Sequence, residues 1–343
     1  MVKDNGREIV HNQVDFDSGI MIPYRNLCFL TLALLCAGLA GHAWSDTPSP
    51  AKPLPLSRTN SEVPLTSPKG RPYSLLISAP NAPAPPEGYP VIYVLDGDGW
   101  FGPAVEIARM REYEKLTPAI VIGVGYPSHA FFDAEGRSYD FTLPGSTDPD
   151  FDGIKLGGAD EFLSFLTGTL KPWVRSHYSV DPNLQILFGH SLGGSFVLHA
   201  LFKAPESFNV FLAASPDIPF SDRIALKEEP GFEANAARGT PRLLVTVGSL
   251  ESHPSAALMD DYRRYYTKHP EAIPDETVDQ AINELFADKG GNYDKADDTR
   301  RMTERLAKRG VKATFVEFDG EEHMSAAISA LNRGIPFALR PGQ

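Results

Sequence analysis

Short apolar runs recur along the chain, each bounded by glycine, proline or polar residues and separated by stretches whose apolar positions follow helical spacing. Tyr89–Leu95, Ala119–Gly123, Leu184–Phe188, Val210–Ala214, Arg242–Gly248 and Val311–Phe318 are rich in β-branched and aromatic residues and too short for helices. They predict strands ending near Leu95, Gly123, Phe188, Ala213, Gly248 and Phe318. Ahead of them, Ser67-Pro-Lys-Gly70 predicts a hairpin turn. Between the runs, Asp160 to His177 places Phe162, Phe165, Leu166, Leu170 and Trp173 on one face and predicts an amphipathic crossover despite Pro172. Strands alternating with helices imply a mostly parallel central sheet covered on both faces. The stretch from Ser252 to Arg309 is too long for a bare connection. It predicts helices near 256–266, 277–287 and 296–308, the first part (252–295) forming a small helical cap. Tyr262, Tyr265, Tyr266 and Phe286 are candidates to line an acyl or aryl pocket there, packing onto the sheet being the simpler role.

One of these strand-to-helix junctions carries chemistry. Leu184–Phe188 leads into Gly189-His-Ser-Leu-Gly193, and Phe196, Leu198, Leu201 and Phe202 then follow helical spacing. A Gly-x-Ser-x-Gly core in that setting is a nucleophile elbow, in which a tight turn holds the serine in a strained conformation. Side chains at Gly189 and Gly193 are expected to block the turn.

A serine nucleophile needs a base, and in this architecture the order along the chain is Ser, Asp or Glu, then His. His323 follows the last strand and precedes a closing helix, as that order requires. For the acid, Glu251 after the Arg242–Gly248 strand is the first candidate, Asp217 the second, and Asp260 or Asp261 the third. A dyad whose histidine is oriented by a carbonyl or water is a further alternative. Two backbone N–H groups are needed for the oxyanion. Leu192, after the nucleophile, supplies one, and Asp98, between Gly97 and Gly99, the other.

Two motifs mislead. Gly97-Asp-Gly-Trp-Phe-Gly102 matches Gly-x-Gly-x-x-Gly, but the next strand ends in Val124-Gly-Tyr-Pro127 without the carboxylate that a dinucleotide ribose requires. Asp148-Pro-Asp-Phe-Asp-Gly153 opens like a calcium loop, yet its twelfth position is Ala159 where a bidentate glutamate is needed. No His/Cys cluster suggests zinc or iron, so chemistry without a metal or cofactor is expected.

With these residues in view, the chain resembles the putative-esterase branch of the α/β-hydrolases, which includes periplasmic siderophore trilactone esterases and, more distantly, S-formylglutathione hydrolases. Besides the elbow, the likeness rests on Gly70–Leu76, Tyr89–Gly97, Ile122–Pro127, Arg137–Thr142 and Gly157–Phe162, and it extends from about Glu62 to Phe337. It implies the α/β-hydrolase fold, Ser191 as nucleophile, His323 as base, and Asp98 and Leu192 as oxyanion donors. It also implies Arg137 and Tyr139 near the substrate mouth, with Trp100 and His190 as further lining residues. Arg137 either binds an anionic or catecholate substrate or fixes its loop by an ion pair, for instance to Asp140. The implied activity is serine carboxylic-ester hydrolysis, the substrate being a siderophore trilactone or, alternatively, an acylated sugar or small acyl ester. Ser215-Pro-Asp-Ile218 departs from the Ser-Pro-Ser-aromatic pattern of the family, and fold alone leaves an inactive binding protein as the alternative of another class.

The N-terminus bears on location. Leu27–Gly41 is an apolar run of 15 residues after Arg25, followed by the small-residue site Gly41-His-Ala43. That pattern reads as a secretory signal cleaved near Ala43, giving a periplasmic or secreted protein. Residues 1–20 are unlike a basic signal start, so Met21 is an alternative first residue; a lipid anchor on Cys36 is disfavoured by Leu35 before it. Residues 44–60 read as a Pro/Ser-rich linker, and 61–341 as one catalytic domain. Both cysteines, Cys28 and Cys36, fall in the signal, so the remainder has no disulfide framework and depends on its core. Net charge is -12, and loss of residues 1–43, which carry three basic and four acidic side chains, leaves -11. An acidic chain without basic runs is a poor nucleic-acid binder, so the expected partner is a small-molecule ester.

Overall fold

The computed structural model describes residues 60–147, 151, 153–218, 220–232, 241–252, 256–270, 273, 277–286 and 295–340, without the side chains of 231, 258 and 283–286. The signal, nearly all of the linker, most of the calcium-like stretch and the side chain of Phe286 lie outside them. Eight strands form a single sheet in the order β1-β2-β4-β3-β5-β6-β7-β8. β1 (Asn60–Thr66) and β2 (Pro72–Ser78) form the expected hairpin, with Thr66 opposite Pro72. β2 runs antiparallel to β4 (Ile120–Gly125), and every later pairing is parallel. These include β3 (Tyr89–Leu95), β5 (Val180–His190), β6 (Val210–Ala214), β7 (Arg242–Gly248) and β8 (Lys312–Phe318). This is the α/β-hydrolase architecture.

Both faces of the central strands are apolar because both are covered. Along β3, Val91, Tyr93 and Leu95 join one core cluster while Ile92 and Val94 join the other. The second face is covered by α1 (Gly97–Tyr113) and the closing α10 (Ser325–Leu339). The first is covered by α3 (Ala159–Phe165), α4 (Lys171–His177), α5 (Leu192–Lys203) and α9 (Lys295–Lys308). With each fully buried large apolar side chain worth ~1.5–3 kcal/mol, this core suffices without a covalent staple.

The crossover spans the predicted residues with one irregularity. Between α3 and α4, Leu166–Leu170 widens into a π turn, and Lys171 N–H donates to the Leu166 carbonyl. Pro172, in the first turn of α4, has no N–H for the Gly168 carbonyl and its ring would crowd that group, so the ladder widens ahead of it. α2 (Ala134–Asp140) is capped by the Asp133 carboxylate, which accepts from Gly136 N–H at 2.6 Å. A short turn, α6 (Phe220–Arg223), follows β6 and is not regular helix, with Ser221 and Asp222 left-handed at φ 51° and 54°.

Beyond β7 helices occupy the predicted stretches: α7 (Ala256–Lys268) and α8 (Val278–Phe286), with α9 returning to the sheet. Tyr266, Ala281 and Ile282 are buried between α7 and α8, with Tyr262 and Tyr265 packed against them. The tyrosines therefore join a small cluster of their own between α7 and α8. Among the described residues no helix is long and apolar enough to cross a membrane.

Candidate active site

The parallel strands deliver their C-terminal ends to one edge of the sheet, where the candidate residues collect. Ser191 sits between β5 and α5 with φ 60° and ψ -123°. Its N–H donates to Ala214 carbonyl at 3.0 Å, while its own carbonyl accepts from Ser195 N–H at 3.0 Å and Asp217 N–H at 3.2 Å. Three backbone bonds thus hold a conformation that costs ~1–3 kcal/mol. A Cβ at Gly189 would lie 2.2 Å from the Gly193 carbonyl oxygen, so glycine is obligatory there. Gly193 differs from expectation: a Cβ would meet nothing closer than 3.7 Å, whereas at Gly194 it would lie 2.7 Å from Ala214 carbonyl oxygen. The backbone crossing falls one residue later than the motif suggests, because α5 turns its second glycine toward β6.

His323 lies in the loop between β8 and α10, its side chain 38% exposed. Its Nδ1 is 2.6 Å from Oε2 of Glu251, in the single turn after β7. Glu251 is sealed, 2% exposed. Its Oε1 accepts from Gly248 N–H at 2.7 Å and Ser215 Oγ at 2.6 Å, and Oε2 also accepts from Lys295 Nζ at 2.7 Å. Burial alone would raise its pKa, but Lys295, His323 and these hydrogen bonds outweigh burial and hold the carboxyl well below its ordinary range. Gly248 makes room for this contact, since a Cβ would lie 2.2 Å from Glu321 carbonyl oxygen. Asp217 meets the elbow only through its backbone, and Asp260 and Asp261 pair with Arg263 and Arg264 on α7.

The N-terminus of α1 meets that of α5. Asp96 is left-handed at φ 49°, and Asp98 and Leu192 are first-turn residues whose N–H groups have no acceptor among the described residues. The Asp98 carboxylate turns away, toward Tyr126 N–H at 3.4 Å and His129 Nδ1 at 3.2 Å.

The four expected substrate-binding residues make the following contacts. Arg137 is 6% exposed and donates from Nε and Nη2 to the two oxygens of Asp96, at 2.9 and 3.2 Å. It pins the turn before Asp98, with its guanidinium 4.9 Å from the Phe132 ring centre, while Asp140 pairs with Arg71 at 3.2 Å. Burial raises the Asp96 pKa and Arg137 opposes the shift. Tyr139 lies between Arg71 and Lys155, each 4.4 Å from its ring centre, with its hydroxyl on Glu161. His190 is buried, and its Nε2–H donates to the carbonyl of His323 at 2.7 Å, so it anchors the base's backbone. Burial, then the nearby His323, drive its pKa well below the usual histidine value. Trp100 is buried too, 5.3 Å from the His190 ring and 5.4 Å from Phe131, which is 51% exposed. Phe131 packs on Gly99, where a Cβ would lie 3.0 Å from its ring.

Sequence reasoning misses Lys295, Ser215 and Phe131 as members of this neighbourhood. Lys295 stands 44 residues beyond Glu251 in a charged stretch, and only the Ser-Pro-Asp departure singled out Ser215. Among the described residues no group of three or more His, Cys, Asp or Glu side chains is arranged to hold a metal ion.

The family model described as "Putative esterase" matches residues 67–338. The ferri-bacillibactin esterase BesA of Bacillus subtilis (strain 168) is 32% identical over 285 residues, covering 80% of this chain and 86% of that protein. The siderophore enterobactin esterase of Emericella nidulans is 33% identical over 269 residues, covering 72% of this chain and 80% of that protein. Among solved structures, the BES protein from Bacillus cereus superposes with a TM-score of 0.65 at 31% identity, covering 84% of this chain and 99% of the other.

Proposed function

The chain belongs to the Putative esterase family, and from that premise we propose that it is a serine hydrolase cleaving siderophore esters through an acyl-enzyme. The observation that carries the mechanism is the 2.6 Å contact between His323 Nδ1 and the ionised, buried Glu251, in a chain whose Ser191 holds elbow geometry at the end of β5. With Nδ1–H committed to Glu251, Nε2 of His323 is the free basic nitrogen. It takes the proton of Ser191 Oγ as Oγ bonds to the ester carbonyl carbon, and the oxyanion forms against the N–H groups of Asp98 and Leu192. Collapse breaks the bond to the leaving alcohol, which receives that proton from Nε2. Water, deprotonated by the same nitrogen, then attacks the acyl-enzyme, and its collapse returns a proton to Ser191 and releases the acid.

The substrate class rests on the relatives named for siderophore esters. Exposed Phe131, packed on buried Trp100 and half-buried Phe132, offers an aromatic surface that suits an acyl group bearing an aromatic ring. The apolar run Leu27–Gly41 supports export, with a mature N-terminus near Trp44. The test is hydrolysis of a catecholate trilactone siderophore, iron-free and iron-loaded, beside a p-nitrophenyl ester. Ser191→Ala and His323→Ala are expected to lower kcat by at least ~10³-fold on either substrate. Turnover by Ser191→Ala at the wild-type rate would reject the serine mechanism. Cleavage of the simple ester alone would reject the siderophore.

A further inference from the structure

Lys295 is a charged member of the catalytic neighbourhood that the mechanism above leaves unused. It opens α9, the return leg of the segment inserted between β7 and β8, and its side chain is only 11% exposed. Nζ donates to Oε2 of Glu251 at 2.7 Å, the oxygen that also takes His323 Nδ1–H, and lies 3.4 Å from that nitrogen. Next to it, Ala296 N–H donates to Ser252 Oγ at 3.0 Å, so the outgoing and returning ends of the insertion are joined beside the carboxylate.

A buried carboxylate needs a counter-charge, and that alone would make Lys295 a stability residue. The geometry points to more: we infer that Lys295 is a positioning residue of the triad, which fixes the Glu251 carboxylate and offsets its pull on the base. With Gly248 N–H and Ser215 Oγ on Oε1, the ammonium completes four donors around two oxygens, leaving the carboxylate no room to rotate. Its charge also opposes the imidazolium that forms during turnover. Charged or titratable groups face the imidazole from three elements: His190 from the end of β5, Glu251 from the turn after β7 and Lys295 from α9. Lys295 therefore sets how much of the Glu251 charge the base feels, and it does so from the insertion.

The inference rests on the serine-esterase reading, so the experiment pairs each variant with Ser191→Ala on a p-nitrophenyl ester. Lys295→Met keeps the side chain's length and removes its charge. It is expected to lower plateau kcat about ten- to a hundredfold with KM nearly unchanged. The acid limb of kcat/KM should move to higher pH by about one unit, because Glu251 then acts on the imidazolium unopposed. Lys295→Arg should restore the position of the limb. A purely structural role would lower the melting temperature and leave both kcat and the pH profile in place, and that outcome overturns the inference. If Lys295→Met fails to fold, Lys295→Gln, a donor without charge, carries the same prediction for the acid limb, with a smaller loss of kcat. Full activity in Ser191→Ala would instead sink the serine reading and leave Lys295 without a triad to position.

Discussion

Arg137 and Asp96 are sealed together under the turn that carries the Asp98 N–H, and the two hydrogen bonds that the guanidinium donates to the carboxylate commit its Nε and Nη2 to fixing that turn. Removing one partner strands the other charge in the core, so Arg137→Leu is expected to cost ~3–5 kcal/mol in urea unfolding. Its activity on anionic and neutral esters should fall in parallel; a KM rise confined to anionic esters would place Arg137 at the mouth. At the acid, Glu251→Gln preserves shape and hydrogen-bond length but presents a neutral amide to His323. A kcat loss of about 10²–10⁴-fold is expected, against less than about threefold for Asp217→Asn. Equal losses would reject the assignment. Residue type, chain order and the preceding strand put Ser191 and His323 forward in the sequence, but left Glu251 beside Asp217, Asp260, Asp261 and a dyad; the 2.6 Å His323–Glu251 contact is what singles Glu251 out among them. The roles of Arg137 and Lys295 were not legible there, because their partners stand 41 and 44 residues away and are chosen by packing.

The elbow is an element-level device, and its glycines are unequal. A methyl group at Gly189 or Gly194 meets backbone, which cannot move aside, whereas at Gly193 it meets ordinary contacts. Thermal unfolding should therefore rank Gly193→Ala as the mildest, within about 1 kcal/mol of wild type, with Gly189→Ala and Gly194→Ala several-fold worse. The reverse ranking would mean that the turn relaxes along α5. Strand ends were readable to within two residues, since buried parallel strands are near-continuous apolar runs. The π turn at Leu166–Leu170 was not, because Pro172 alone does not say whether a helix stops, kinks or widens. The helices after β7 were readable from spacing. Their tyrosines were not, because an aromatic stripe does not name the surface it covers.

For the molecule as a whole, acid sensitivity follows from groups that keep different protons folded and unfolded. His190 binds a proton in the unfolded chain below about pH 6.5 but resists it when buried. The unfolded state then holds more protons, so stability is full above that pH and declines as pH falls below it. Asp140 acts in the opposite sense: burial, opposed by Arg71, lifts it to about 6, so the folded state holds the extra proton between about 4 and 6. Comparing wild type with His190→Gln cancels the Asp140 contribution. The stability gap, from urea midpoints, should narrow from pH 8 to pH 5.5; a constant gap would show that His190 does not titrate in that window. One consequence concerns descent. The insertion leaves at Ser252 and returns at Ala296 through a hydrogen-bonded neck, and closure entropy grows only with the logarithm of loop length. Lineages of this enzyme are therefore free to exchange one insert for another of different length. A replacement of different length leaves the sheet undisturbed, provided it brings its own cation to the Glu251 carboxylate.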